Sequence, residues 1–101
     1  MTNKRSYQHD LIESLKHRRE AVAYLNAAIE DGDRGVFLLA IRNVVKAQGG
    51  MTAVAERANL NRENLYRMLS GKGNPQITSL SALLRALGFK LTIAASPSKA
   101  A

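Results

Sequence analysis

The sequence predicts a mainly α-helical domain of about five helices that ends in one β-strand. Apolar residues recur at helical spacing along most of the chain, and glycine, asparagine or proline interrupts them between the predicted helices. After Gly88 the apolar residues alternate at every second position, which is typical of a strand. A chain of 101 residues suffices for one compact domain, which we assign to residues 1–95, followed by a flexible tail at residues 96–101.

Two helical segments open the predicted domain. Asp10 and Glu13 have the spacing of a capping box, so we expect a short helical turn at this point. Residues 18–31 place their apolar side chains along one stripe, which predicts an amphipathic helix, and Gly32 ends it.

A third helix is predicted from its N-cap, Asp33, to about Gln48. This helix is strongly apolar at Phe37, Ala40, Ile41, Val44 and Val45. We therefore expect it to be the central packing element. The pair Gly49-Gly50 breaks it.

Residues 51–70, MTAVAERANLNRENLYRMLS, have the spacing of a helix-turn-helix. Small Ala55 lies where two helices must approach closely, and Asn59 lies at the sharp turn, where φ is usually positive. Asn61 is a suitable N-cap for the second helix, and Gly71 is a suitable left-handed stop after it. The predicted helices cover residues 53–58 and 62–70. The alternative is an ordinary helical hairpin packed in a core.

One more helix is predicted beyond the motif. Asn74-Pro75 marks a loop at residues 71–76, Thr78 caps the helix that follows, and Gly88 stops it.

The predicted strand covers residues 89–94, and its backbone groups need a partner. We favour the same strand of a second copy, paired antiparallel across a two-fold axis. The alternatives are pairing with residues 6–9 and a merely extended tail.

The charge distribution indicates a nucleic-acid partner. The net charge is +7, and all of it lies in residues 32–101, because residues 1–31 carry five basic and five acidic residues. The positive excess therefore belongs to the part that contains the motif, as a phosphate-binding surface requires.

Several protein classes are disfavoured by what the sequence lacks. There is no cysteine and there are only two histidines, so we expect no disulfide, no metal site and no cofactor. No apolar run reaches membrane length and the first residues lack the apolar core of a signal peptide, so we expect a cytoplasmic protein without membrane contact. We expect no enzyme, because no clustered nucleophile, acid pair or metal set is present.

The second helix of the motif supplies most of the candidate DNA-binding residues, because such a helix enters the major groove. Leu65, Met68 and Leu69 point inward at helical spacing, which leaves an outer face for base contacts. The base-reading candidates are Arg62, Glu63, Asn64 and Arg67. The other DNA-binding candidates are Thr52, Lys72 and Asn74 as phosphate contacts, Tyr66 at a sugar-phosphate edge or as a shield for the core, and Asn61. For Glu63 and Arg67 the alternative is an ion pair on a solvated face.

Four segments of the chain carry a family resemblance: AYLNAAIEDGD (23–33), FLLAIRNVVKAQGGM (37–51), NRENLYRMLSGKGNP (61–75) and LSALLRALG (80–88). Together they resemble the addiction-module antidotes, antitoxins of the HigA-like kind that are paired with RelE/ParE-like toxins. The motif with its flanks resembles the Cro/repressor class of helix-turn-helix domains, although Asn59 stands where many of these have glycine. The resemblance covers about residues 7–93 and implies a DNA-binding antitoxin that neutralises a small toxin and represses its own operon.

Further expectations about partners follow from the motif and the resemblance. We expect a homodimer on an inverted-repeat operator in double-stranded DNA. A basic toxin is expected to bind residues 1–31 and to be attracted by Glu30, Asp31 and Asp33. The alternative is that these acidic residues only end one helix and cap the next. The alternative function is a phage- or plasmid-type transcriptional regulator without a toxin partner.

Overall fold

Six α-helices make up the regular structure of residues 4–97, which are the part of the chain that the computed structural model describes. They are α1 (Lys4–Ser14), α2 (Arg18–Asp31), α3 (Arg34–Ala47), α4 (Met51–Ala58), α5 (Arg62–Met68) and α6 (Ile77–Ala86). None of these described helices has the length and apolar character that crossing a bilayer requires.

α3 lies at the centre of the core, as the sequence predicts. Its residues Leu38, Ile41, Val44 and Val45 are fully buried. α1 and α2 pack against α3, and α4 also contacts it while packing mainly against α5 and α6. α3 therefore joins an N-terminal pair of helices to the three helices that follow the turn at Gly49-Gly50.

The ends of α2 and α3 follow the predicted local signals. Gly32 is left-handed with φ 81°, and its N–H donates to the Ile29 carbonyl at 3.1 Å. The Asp33 carboxylate accepts a hydrogen bond from the Val36 N–H at 3.1 Å and so caps α3. The predicted break after α3 is confirmed, and both of its glycines have positive φ, 120° and 94°.

α1 is longer than the sequence predicts, and the capping box is wrong. Asp10 lies inside the helix rather than at its start, because the spacing of a capping box also occurs within a helix. Glu13 accepts a hydrogen bond from the Lys16 ammonium at 2.7 Å instead of reaching back to a cap. This bond and the ammonium charge hold the pKa of the Glu13 carboxyl below its ordinary value.

The turn between α4 and α5 has the predicted conformation. Asn59 is left-handed with φ 57°, and Asn61 is the N-cap of α5. α4 begins at Met51, two residues earlier than predicted, because Gly50, with φ 94° and ψ 170°, already serves as its N-cap.

The end of α5 differs from the prediction. The helix stops at Met68 rather than Ser70, and Gly71 is not left-handed. The N–H groups of Leu69 and Ser70 donate to the Leu65 and Arg67 carbonyls at 3.1 and 3.3 Å, so the chain leaves the helix without a left-handed residue. α6 likewise needs no Thr78 cap, because it starts at Ile77.

The predicted C-terminal strand is wrong, and with it the fold class of about five helices plus a strand. Residues 89–97 are irregular, and the described residues are all-helical in their regular structure. Phe89 bonds back to the Leu84 carbonyl at 2.8 Å and packs on the core, whereas Leu91 is 39% and Ile93 100% exposed. A strand needs a neighbouring strand for its backbone groups, and residues 6–9 are not available because they lie within α1. The predicted tail, 96–101, lies mostly outside the described residues.

Candidate nucleic-acid interface

α5 buries one side and exposes the other, as the spacing predicts. Leu65 in the helix and Leu69 directly after it are fully buried, and Met68 packs against the same core. The exposed candidates are Arg62, Glu63, Asn64, Tyr66 and Arg67. A short helix with this division can be held by its apolar side while its polar side meets a groove of DNA.

Asn61 has a structural task at the start of α5. Its side-chain oxygen accepts hydrogen bonds from the Glu63 and Asn64 N–H groups at 2.8 and 3.3 Å. Since the oxygen is used in this way, the amide nitrogen of Asn61 is the group left to contact a phosphate.

Two pairs of side chains order the exposed face. The Arg62 guanidinium lies 5.3 Å from the centroid of the Tyr66 ring and donates to its hydroxyl at 3.4 Å. Arg67 donates to the Asn64 side-chain oxygen at 3.3 Å. The alternative of a Glu63–Arg67 ion pair does not occur, since the salt bridge found in residues 6–97 joins Lys16 to Glu13.

A groove of about 620 Å³ lies beside α5, between this helix and the loop that leads into α6. It brings together four of the candidates, Asn64, Arg67, Lys72 and Asn74. None of the described residues that line it is acidic, so two cationic side chains face it without compensation. Such a groove suits the negatively charged edge of a duplex.

The other candidates lie outside this groove. Arg62, Glu63 and Tyr66 are exposed on α5 but do not line it, and exposed Thr52 lies in the first turn of α4. The candidate interface therefore comprises the face of α5 and the adjoining groove, with Thr52 on a separate helix.

Two residues that the sequence analysis missed hold the end of α5. Arg42 of α3 donates to the Leu69 carbonyl at 3.0 Å, and buried Gly73 lies against the carbonyls of the last turn. The available signals were a charged residue inside the strongly apolar central helix and a second glycine close behind Gly71. Neither signal shows which residue is contacted, because both contacts join residues from different parts of the fold.

Comparison with known proteins gives a family match and a related protein. The model of a family described as "Probable addiction module antidote protein" matches residues 5–95. An "Uncharacterized protein" of Haemophilus influenzae (strain ATCC 51907 / DSM 11121 / KW20 / Rd) is 30% identical over 84 residues, which are 83% of this chain and 86% of that protein. No solved structure matches the chain.

Proposed function

Because this chain belongs to the addiction-module antidote family, we propose that it is a DNA-binding antitoxin that neutralises a RelE/ParE-like toxin and represses its own operon. The family itself implies a toxin partner. The DNA-binding activity is our inference from the surface around α5, and α4 with α5 acts as a Cro/repressor-type helix-turn-helix.

The observation that carries DNA binding is the exposed cationic face of α5 and its groove. The helix is entered through the left-handed Asn59, and Leu65 and Leu69 anchor its inner side in the core. Arg67 and Lys72 line the groove without an acidic neighbour among the described lining residues. This arrangement supports insertion of α5 into the major groove with the loop against the backbone.

The groups on this surface have distinct roles. Arg67 donates two parallel hydrogen bonds to guanine, and its contact with Asn64 orients the guanidinium before DNA arrives. Glu63 is free to accept from the amino group of cytosine. Lys72 and Asn74 contact phosphates, which position the protein but do not read sequence.

One helix-turn-helix reads one half-site, so we propose that the protein binds an inverted repeat as a homodimer. The half-sites are then separated by about one helical turn of DNA. Sedimentation of the free protein and of its complex with DNA tests this assembly.

Substitution of Arg67 and Lys72 tests DNA binding. Arg67→Ala is expected to lose about 1–3 kcal/mol of discrimination at one base position. Lys72→Ala is expected to weaken binding to all sequences alike and to make the salt dependence shallower. Lys90→Ala removes the same charge from the exposed C-terminal segment and is the control. If Arg67→Ala weakens selected and random duplexes equally, α5 is not the reading helix.

We propose that the toxin binds away from α5, at the C-terminal end of α2. Glu30 and Asp31 are exposed there and form no salt bridge within the described residues, so a basic partner can approach them. Asp33 has a structural role instead, because its carboxylate caps α3.

Charge reversal separates the two activities. Glu30→Lys with Asp31→Lys is expected to slow association with the toxin while DNA binding by the free protein persists. Glu20→Lys reverses an exposed acidic residue near the opposite end of α2 and is the control. If the reversal leaves neutralisation untouched, or if Arg62 and Arg67 substitutions abolish it, the toxin and DNA share a surface and the proposed division fails.

A further inference from the structure

The C-terminal end of α5 is held by a cation from another helix. A helix leaves its last carbonyl groups without partners inside the helix, and a positive charge nearby is favourable. Half-buried Arg42 of α3 supplies this charge and donates a hydrogen bond to the Leu69 carbonyl at 3.0 Å. The orientation of α5 is therefore tied to the central helix of the core.

The loop that carries Lys72 lies directly on the same helix end. A Cβ atom added at Gly73 would overlap the Met68 carbonyl oxygen and would lie 2.9 Å from the Arg67 carbonyl oxygen. The Gly73 N–H also donates to the Ser70 carbonyl at 2.8 Å. Because both neighbours are backbone atoms, any side chain at this position must push the loop away from α5, by on the order of 1 Å.

We propose that Arg42 and Gly73 are positioning residues that fix α5 relative to the loop and thereby determine sequence specificity. The inference rests on the proposed DNA-binding function. Phosphate contacts set the register of a protein on DNA, and base contacts then read the sequence. Lys72 precedes Gly73, and Arg67 lies in the helix turn that Gly73 contacts. When the loop moves, no single position of the protein on DNA allows both the Lys72 phosphate contact and the Arg67 base contact.

The test compares two duplexes. One is the duplex that the wild-type protein selects most strongly from a random library, and the other is a shuffled version of it. The measured quantity is the specificity ratio, which is the dissociation constant of the shuffled duplex divided by that of the selected duplex at one salt concentration. A loss of folded protein raises both constants by the same factor and leaves the ratio unchanged.

Arg42→Ala and Gly73→Ala are expected to lower this ratio about tenfold, because each is expected to lose the equivalent of one charge-assisted hydrogen bond from Arg67 to its base. The dissociation constant of the shuffled duplex is expected to change less than twofold in Gly73→Ala. In Arg42→Ala it is expected to change less than twofold beyond the weaker attraction to phosphate that follows from the lost charge. Arg42→Lys keeps the positive charge and an N–H donor, so it is expected to retain part of the wild-type ratio that Arg42→Ala loses.

Each variant has a matched control. Gly71→Ala adds a methyl group two residues away, where no atom of the described residues beyond its chain neighbours lies within 4 Å and φ is not positive. Arg57→Ala removes the same charge and a similar bond, from its guanidinium to the Gln48 carbonyl at 2.9 Å at the end of α3. Both controls are expected to keep the wild-type ratio.

Three outcomes overturn the inference. The first is an unchanged ratio in Arg42→Ala, or in Gly73→Ala if circular dichroism shows it to be folded. The second is an equal loss in a control and in its matched variant. The third is a wild-type protein that selects no sequence, which removes the proposed DNA reading and the inference with it. If Gly73→Ala does not fold, the Arg42 variants decide.

Discussion

Asn43 is the buried polar residue that connects the N-terminal helices to α3, and its substitution gives a prediction with a calculable magnitude. Its side chain is only 4% exposed. Its oxygen accepts from the Gln8 amide of α1 at 3.2 Å, and its nitrogen donates to the Tyr24 hydroxyl of α2 at 2.9 Å. Asn43→Ala removes both bonds at once.

The expected cost is about 2 kcal/mol in the free energy of unfolding, from two hydrogen bonds at about 0.5–1.5 kcal/mol each. The penalty is not larger because Gln8 and Tyr24 are only partly buried, so water can replace the lost partner. For a domain of this size the loss corresponds to a fall of roughly 8–16 °C in melting temperature.

Urea unfolding followed by circular dichroism measures the cost, and a double-mutant cycle assigns it. Tyr24→Phe removes only the hydroxyl group, so its combination with Asn43→Ala is expected to show a coupling of about 1 kcal/mol. Asn26→Ala, on the exposed side of α2, is the control and is expected to stay within about 0.5 kcal/mol of wild type. A cost below about 0.5 kcal/mol for Asn43→Ala, or strict additivity with Tyr24→Phe, refutes the reasoning.

Three further predictions concern local chemistry. Asn59→Ala is expected to destabilise the protein by about 1–2 kcal/mol in urea unfolding, and Asn59→Gly is expected to cost less, because only alanine resists the left-handed conformation. Asp33→Ala removes the cap of α3 and is expected to cost about 1 kcal/mol in the same assay, whereas Asp33→Asn, which can still cap, is expected to cost less. Lys16→Ala is expected to raise the pKa of the Glu13 carboxyl in an NMR titration, and an unmoved pKa would contradict the assigned cause. Because folding lowers the pKa of Glu13, its interaction with Lys16 stabilises the folded protein at pH values above the pKa of the unfolded state. This stabilisation disappears as the pH falls through the pKa of the folded state.

The sequence predicts best what neighbouring residues decide together. Gly32, Asp33, Asn59 and Asn61 act through bonds and torsions within a few residues of themselves, and each has the predicted conformation or cap. The inward and outward sides of α5 also follow from spacing alone. These signals are local, so one chain suffices to find them.

Features that depend on a distant partner were not predictable in this way. Alternation in residues 89–94 indicates a strand only if a second strand lies beside it, and in the described residues none does. The sequence analysis assigned Gly71 a left-handed conformation at the end of α5. The glycine that the fold requires there is instead Gly73, which packs against carbonyl groups of α5. Arg42 likewise finds its acceptor 27 residues later in the chain.

Consecutive residues of α3 contact different parts of the molecule. A helix turns about 100° per residue. Arg42 therefore reaches the end of α5 while Asn43 reaches α1 and α2. The helices before the double-glycine turn and those after it are thus both fixed to α3. Under the proposed function, replacing the segment after this turn with that of a relative is expected to change the DNA target while the proposed toxin surface on α2 is kept. The incoming segment must still offer a carbonyl to Arg42 and an apolar surface to α2 around Leu84 and Phe89.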